Sequence, residues 1–167
     1  MSTQAKAYVA DIVEVICERL DTLVNRSAAM PVLFHLFPDV DTAIEAISQA
    51  RQRGNYDAAM DAARASGDDA ACMAAWTASL YDRVSVDEMA ADVRVGFEHE
   101  SIDDGLVSTD PANPTRASVT LHDGTRVQGE WYLRGDGLRK ELVRVDLRGS
   151  VGWTGVTKFE PLVEVAT

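Results

Sequence analysis

Apolar positions recur with a helical period through the first two thirds of the chain and with a period of two after that. Over Gln4–Ala29, the residues Val9, Ile12, Val13, Ile16, Leu20, Leu23 and Val24 follow the i, i+3, i+4, i+7 rule. Asp11, Glu14, Glu18, Asp21 and Asn25 fall on the other side, so a long amphipathic helix is expected, with an apolar face that must pack on something. Pro31 and Pro38 then bracket the apolar hexamer Val32–Phe37. Pro31 suits a first helical position and Pro38 stops a helix before Phe37, which predicts a separate helical turn plugged into the core. The sharper alternative is an exposed anchor for a partner, carried by Phe34 and Phe37. His35, among apolar neighbours, is expected to be a hydrogen-bonded core histidine.

Asp39 or Asp41 can cap a helix over 41–53 that buries Val40, Ile44 and Ile47 and ends at Gly54. A further helix runs from Asn55 to about Ala65, and another from Asp68 to about Tyr81, with Gly67 between them. Ser85-Val-Asp-Glu88 is a capping box for a helix through Met89, Ala90, Val93 and Phe97. The polar stretch Ser101–Asn113, followed by Pro114, has the composition of a linker. From Ala117 onward Val119 and Leu121 alternate with polar residues, and Asp123-Gly124 signals a tight hairpin. Val127, Gly129, Trp131 and Leu133 are expected to face inward, with Gln128, Glu130, Tyr132 and Arg134 outward. Val143, Val145 and Leu147 are the expected inward set of the third strand, which places Lys140, Arg144 and Arg148 on its outer face. The fold class predicted is α+β: an N-terminal bundle of five to six helices, then a C-terminal antiparallel sheet of four to five strands or a small SH3-like barrel. The division expected is an acidic helical region over 1–107, a linker over 108–116 and a β region over 117–167, packed together as one compact unit.

Charge sharpens that division. Residues 1–115 hold 20 Asp/Glu against 8 Lys/Arg, and residues 116–167 hold 7 against 8. The overall charge of −11 argues against non-specific attachment to nucleic acid or an anionic membrane and permits basic partners. The first fifteen residues lack a basic segment followed by a continuous apolar run, so no signal peptide is expected. No apolar run approaches membrane-span length, and the compartment expected is the cytoplasm of a bacterial cell or of an infected host cell. Thirteen Arg against three Lys, with 23 Ala, point to a GC-rich bacterial or phage genome. Cys17 and Cys72 are expected to be buried, reduced thiols.

The segment VTLHDGTRVQGEWYL (Val119–Leu133) is similar to the first half of the Sm/SH3-like small-barrel pattern, and LRGS (Leu147–Ser150) to its second half. The resemblance covers roughly 30 residues and implies a shape, with Gly129 as the point where a strand bends. RGNYDAAMDAARASGDDAA resembles the helical hairpin of a tetratricopeptide repeat, but no second copy follows at a fixed period and no solenoid is expected. Arg94 and His99 match the Arg-x4-His spacing of HEPN-type helical ribonucleases, which implies phosphate chemistry at a helix end, although Val95 replaces the usual polar residue.

No phosphate loop, dinucleotide fingerprint or nucleophile elbow is present, and the histidines and cysteines show no zinc spacing. Neither cofactor nor metal is therefore expected. Glu98, His99, Glu100, Asp103 and Asp104 are taken as a solvated acidic helix end in preference to a hard-metal site. Arg126, Arg134, Lys140, Arg144 and Arg148 form a candidate basic strip for phosphates, or for docking on acidic helices of this chain or a neighbour. The favoured expectation is a non-enzymatic protein–protein interaction protein, an assembly component, adaptor or antagonist, with itself as a homo-oligomer among the candidate partners. The alternatives are a nucleic-acid-linked role, through the Arg strip or acidic DNA mimicry, and a helical ribonuclease-like enzyme using Arg94 and His99.

Overall fold

The computed structural model describes residues 21–146 and 149–163. Helix α1 occupies residues 21–36 of the described chain and runs through Pro31 without a break. This corrects the expectation of a helix ending at Ala29 and a separate turn after it. Pro31 has no N–H to give the Ser27 carbonyl, yet the next turns hold, and the Phe37 amide still donates to Leu33 O at 3.0 Å. Burial explains the tolerance: Ala29, Met30 and Leu33 on the flanking turns are sunk in the helical core. His35 is exposed, contrary to the core histidine expected.

Four more helices follow: α2 (Val40–Arg53), α3 (Tyr56–Ser66), α4 (Asp69–Leu80) and α5 (Val86–Glu100). Their ends follow from local chemistry. The Asp39 carboxylate accepts from the Thr42 amide at 2.7 Å, Asp68 from Ala71 at 3.0 Å, and the Ser85 hydroxyl from Glu88 at 3.1 Å. Gly67, left-handed at φ +69°, closes α3 and lets the chain turn straight into the Asp68 cap. Leu33, Ile47, Tyr81, Met89 and Val93 fill one core. Each of these large side chains is fully buried, which stabilises the fold by about 1.5–3 kcal/mol apiece before entropy is counted.

The sheet contains β1 (Thr115–Leu121), β2 (Arg126–Arg134), β3 (Glu141–Arg144), β4 (Gly149–Gly152) and β5 (Val156–Pro161). Its order is β4-β3-β2-β1-β5, with antiparallel neighbours throughout. The sheet is open: β4 and β5 are edges and do not pair with each other. The α+β class and the five strands agree with the sequence expectation, and closure into a barrel is not seen. Asp123-Gly124 makes the β1–β2 hairpin, with Gly124 at φ +85° and the Asp123 carboxylate accepting from Thr125 at 2.9 Å. Trp131 and Leu133 face a second core with Val119, Leu142, Trp153 and Val156.

The third strand departs from expectation by one residue. Leu133 pairs with Leu142 and Trp131 with Arg144, so Leu142 is the buried member, while Val145 is 45% exposed. A slip of one residue exchanges the two faces of a strand. Arg144 therefore lies on the core side, its guanidinium 5.9 Å from the Trp131 ring centre. It crosses Gly129, where an added Cβ would meet Arg144 Nε at 2.6 Å. Gly129 thus clears space for an arginine side chain.

Helices and sheet meet through α5, which packs on β5 and on the 3-10 turn Trp153–Gly155. At the centre of this contact His99 is buried, its Nδ1 2.9 Å from the Val156 carbonyl and its ring edge-on to Trp153 at 5.2 Å. The segment before β1 is also tied to the sheet. Val107 is buried in the sheet core and the Leu133 amide donates to Ser108 O at 2.8 Å.

Candidate protein-interaction surface

Two faces of α1 diverge. A helix turns about 100° per residue, so Ala29, Leu33 and Leu36 share one direction, and Leu23, Val24 and Phe34 another, roughly 150° around. The first set is turned to the body: Ala29 and Leu33 are fully buried. The second is not, with Leu23 at 56%, Val24 at 54% and Phe34 at 41% exposure. Leu23 and Val24 are the last two members of the apolar stripe that the sequence begins at Val9. The members from Val9 to Leu20 lie outside the described residues. Phe34 packs on Phe97 of α5 in a T-shaped pair with 5.5 Å between ring centres. Phe37, the other aromatic anchor of the hexamer, is half-buried against the helical core.

Beside Leu23 a cavity of about 210 Å³ opens between α1 and α5. Among the described residues its lining is mostly apolar, with Leu23, Met30, Val95 and Gly96, and Ser27, His99 and Thr154 add polar groups. The close approach of the two helices depends on Gly96, where a Cβ would stand 2.5 Å from Met30 Cγ and Sδ. At one end the Arg26 guanidinium lies 4.3 Å from the Tyr81 ring centre and donates to the Leu80 carbonyl through Nε and Nη2. This cation is therefore engaged within the wall. Burial pushes the Tyr81 phenol well above its ordinary range, and the Asp92 carboxylate beside it pushes in the same direction. Asp92 and Glu100 stand on the rim, one exposed and one half-buried. Neither belongs to an ion pair among the described residues. At the mouth the surface is thus apolar below and anionic at the edge.

The residues singled out from sequence are scattered. Arg94 is turned toward α2, where it pairs with Asp41 at 2.8 Å. His99, five residues on, is turned inward to Val156, so the structure does not bring these two together over a common phosphate position. The basic strip is internally neutralised. Arg126 pairs with Glu160 at 3.2 Å, Arg134 with Glu141 at 2.8 Å, Lys140 with Asp104 at 3.3 Å and Arg144 with Asp146 at 2.7 Å. Arg148 lies outside the described residues. Among the described residues no three His, Cys, Asp or Glu side chains are grouped as metal ligands. Cys72 is half-buried with a free thiol, and Cys17 lies outside the described residues. No described helix is long and apolar enough to cross a membrane.

Asp92 and Gly96 escaped the sequence reading. Asp92 is one more acid on a helix already rich in them, and Gly96 sits where a helix-interior glycine is only a weak signal of close packing. Comparison of the chain with protein-family models, with curated proteins and with solved structures finds no match.

Proposed function

We propose that this chain is a non-enzymatic interaction protein, an adaptor or assembly component, which docks partners on the outward apolar stripe of α1. The observation that carries the reading is the exposure of Leu23, Val24 and Phe34 along one side of α1, at the border of its contact with α5 through Met30 and Phe97. Exposed apolar side chains are ordinary when scattered singly, but a run along one helix face next to an apolar cavity is the geometry of helix-in-groove recognition. The intramolecular pairing of Arg126, Arg134, Lys140 and Arg144 supports this site over a phosphate-binding strip made of those residues, since each pair must be opened before a phosphate is met.

The test uses the full chain immobilised and challenged with bacterial lysate, wild type beside Leu23→Asp/Val24→Asp. Both replaced side chains are more than half exposed, so the urea midpoint should be retained. The expected result is a stoichiometric partner held by the wild type and lost at least tenfold by the variant. An identical retained set for both proteins refutes the stripe as the docking face.

A further inference from the structure

We propose that the cavity between α1 and α5 is the anchor pocket for a basic amphipathic helix of a partner protein. One apolar side chain of that helix would enter over Met30 and Gly96, and Lys or Arg residues within a turn of it would meet Asp92 and Glu100. This inference rests on the interaction reading above and names the partner chemistry for it.

Three observations converge. The cavity is lined by Leu23, so an occupant seated in it also covers that exposed member of the α1 stripe. The lining is mostly apolar, with Ser27, His99 and Thr154 as further polar members, and its two carboxylates have no ion-pair partner among the described residues, while Arg26, the guanidinium in the wall, is committed to Leu80 O and Tyr81. A ligand that brings its own positive charge is complementary here, and one that brings a carboxylate is repelled. The charge around the site has the same sign. Asp21 is exposed at the described start of α1, Glu98 is exposed on α5, and residues 1–115 carry 20 acids against 8 bases. Such a field speeds the approach of a basic segment and is screened by salt.

A second copy of this chain fits the site less well. Pairing α1 with α1 would bring like charges together, since Asp21 is exposed on α1 and Asp92 and Glu100 line the adjoining cavity. Of the cations in the β region, Arg126, Arg134, Lys140 and Arg144 are already bound to carboxylates of their own chain.

The test uses three fluorescently labelled helical peptides with one shared leucine face, flanked by Lys/Arg, by Gln or by Glu. Binding to the full chain is read by anisotropy at low and physiological salt. The basic peptide is expected to bind at least tenfold more tightly than the acidic one, with the neutral peptide between them. Asp92→Asn/Glu100→Gln should weaken the basic peptide at least fivefold and leave the neutral one unchanged. The control Asp57→Asn/Asp61→Asn, on exposed positions of α3, should leave both unchanged and so separates a local site from general attraction to an acidic protein. Equal weakening by the two double variants overturns the proposal, as does equal affinity for all three peptides or binding by none. A discrete dimer in light scattering that Leu23→Asp dissolves would assign the face to a second copy and also overturn it. If these peptides fail while the lysate partner is still lost on Leu23→Asp/Val24→Asp, the interaction reading stands and only the partner chemistry falls.

Discussion

Gly96→Ala probes the closest approach between the helix that carries the exposed stripe and the helix that carries the acidic rim. In an isolated helix the change would stabilise by about 1 kcal/mol, because glycine is the poorer helix former. Here the new methyl would stand 2.5 Å from Met30 Cγ and Sδ and 3.0 Å from Met30 Cβ. Met30 is 7% exposed, so its side chain must repack toward the neighbouring cavity or α1 must move off α5. Overpacking of this kind costs about 1–3 kcal/mol. The two effects oppose, and the expected net result is destabilisation of about 0–2 kcal/mol. The decisive quantity is the coupling with Met30→Ala. That change removes Cγ and Sδ, and in its background Gly96→Ala should be neutral or stabilising by up to about 1 kcal/mol. A cycle of urea unfolding curves on the four proteins should therefore give a coupling of at least about 1 kcal/mol. If Gly96→Ala has the same effect in both backgrounds, α1 and α5 do not meet at this point, and the anchor pocket loses its floor.

His99→Leu keeps an apolar side chain beside the Trp153 ring but loses the edge-on ring contact and leaves the Val156 carbonyl without the His99 donor, and the expected loss is about 1–3 kcal/mol in urea unfolding; an unchanged midpoint would remove His99 as the tie between helices and sheet. Alkaline stability should reflect Tyr81, whose phenol burial raises above its unfolded value of 10.0. A raised folded value means that the neutral phenol's contribution is complete below pH 10 and disappears as pH climbs through the folded value. Tyr56, raised by its hydrogen bond to Asp82, adds with the same sign. Tyr81→Phe should flatten the decline of the thermal midpoint above pH 10, and a decline as steep as in the wild type contradicts this assignment.

The helical region was legible because its signals are local. Asp39, Asp68 and Ser85 cap helices at the positions their sequence neighbourhoods indicate, and Gly54 and Gly67 end helices where expected. Pro31 misled because a local rule about a missing donor competes with burial of Ala29, Met30 and Leu33, and burial prevails. The third strand misled for a related reason. Val143, Val145 and Leu147 form a clean alternation, but Leu147 lies outside the described residues, β3 spans Glu141–Arg144, and the cross-strand partners Trp131 and Leu133 select Leu142 as the inward residue. An arginine on the core side of a sheet cannot be anticipated from period alone; it needs the gap over Gly129 and the aromatic face of Trp131, both supplied by the neighbouring strand. The candidate site was half legible. Leu23 and Val24 stood out as apolar, but whether they faced the body or the solvent depended on how α1 is rotated, which Ala29 and Leu33 decide.

The pairing of β5 with β1 also constrains the order in which the molecule can assemble. Among the described residues the five helices precede every strand, and they pack on one another, as α3 does on α4 and α2 on α4. A growing polypeptide could therefore settle its helical part while the strands are still being made. The sheet has no such liberty. Val119 must wait for Phe159, and the surface of α5 that receives β5 stays uncovered until that strand arrives, leaving His99 without its carbonyl. During synthesis the molecule thus passes through an interval in which α5 exposes two open sides, one toward the missing strand and one toward the pocket beside α1. A chaperone or an early partner meeting the chain in that interval would find a wider landing area than the finished protein offers.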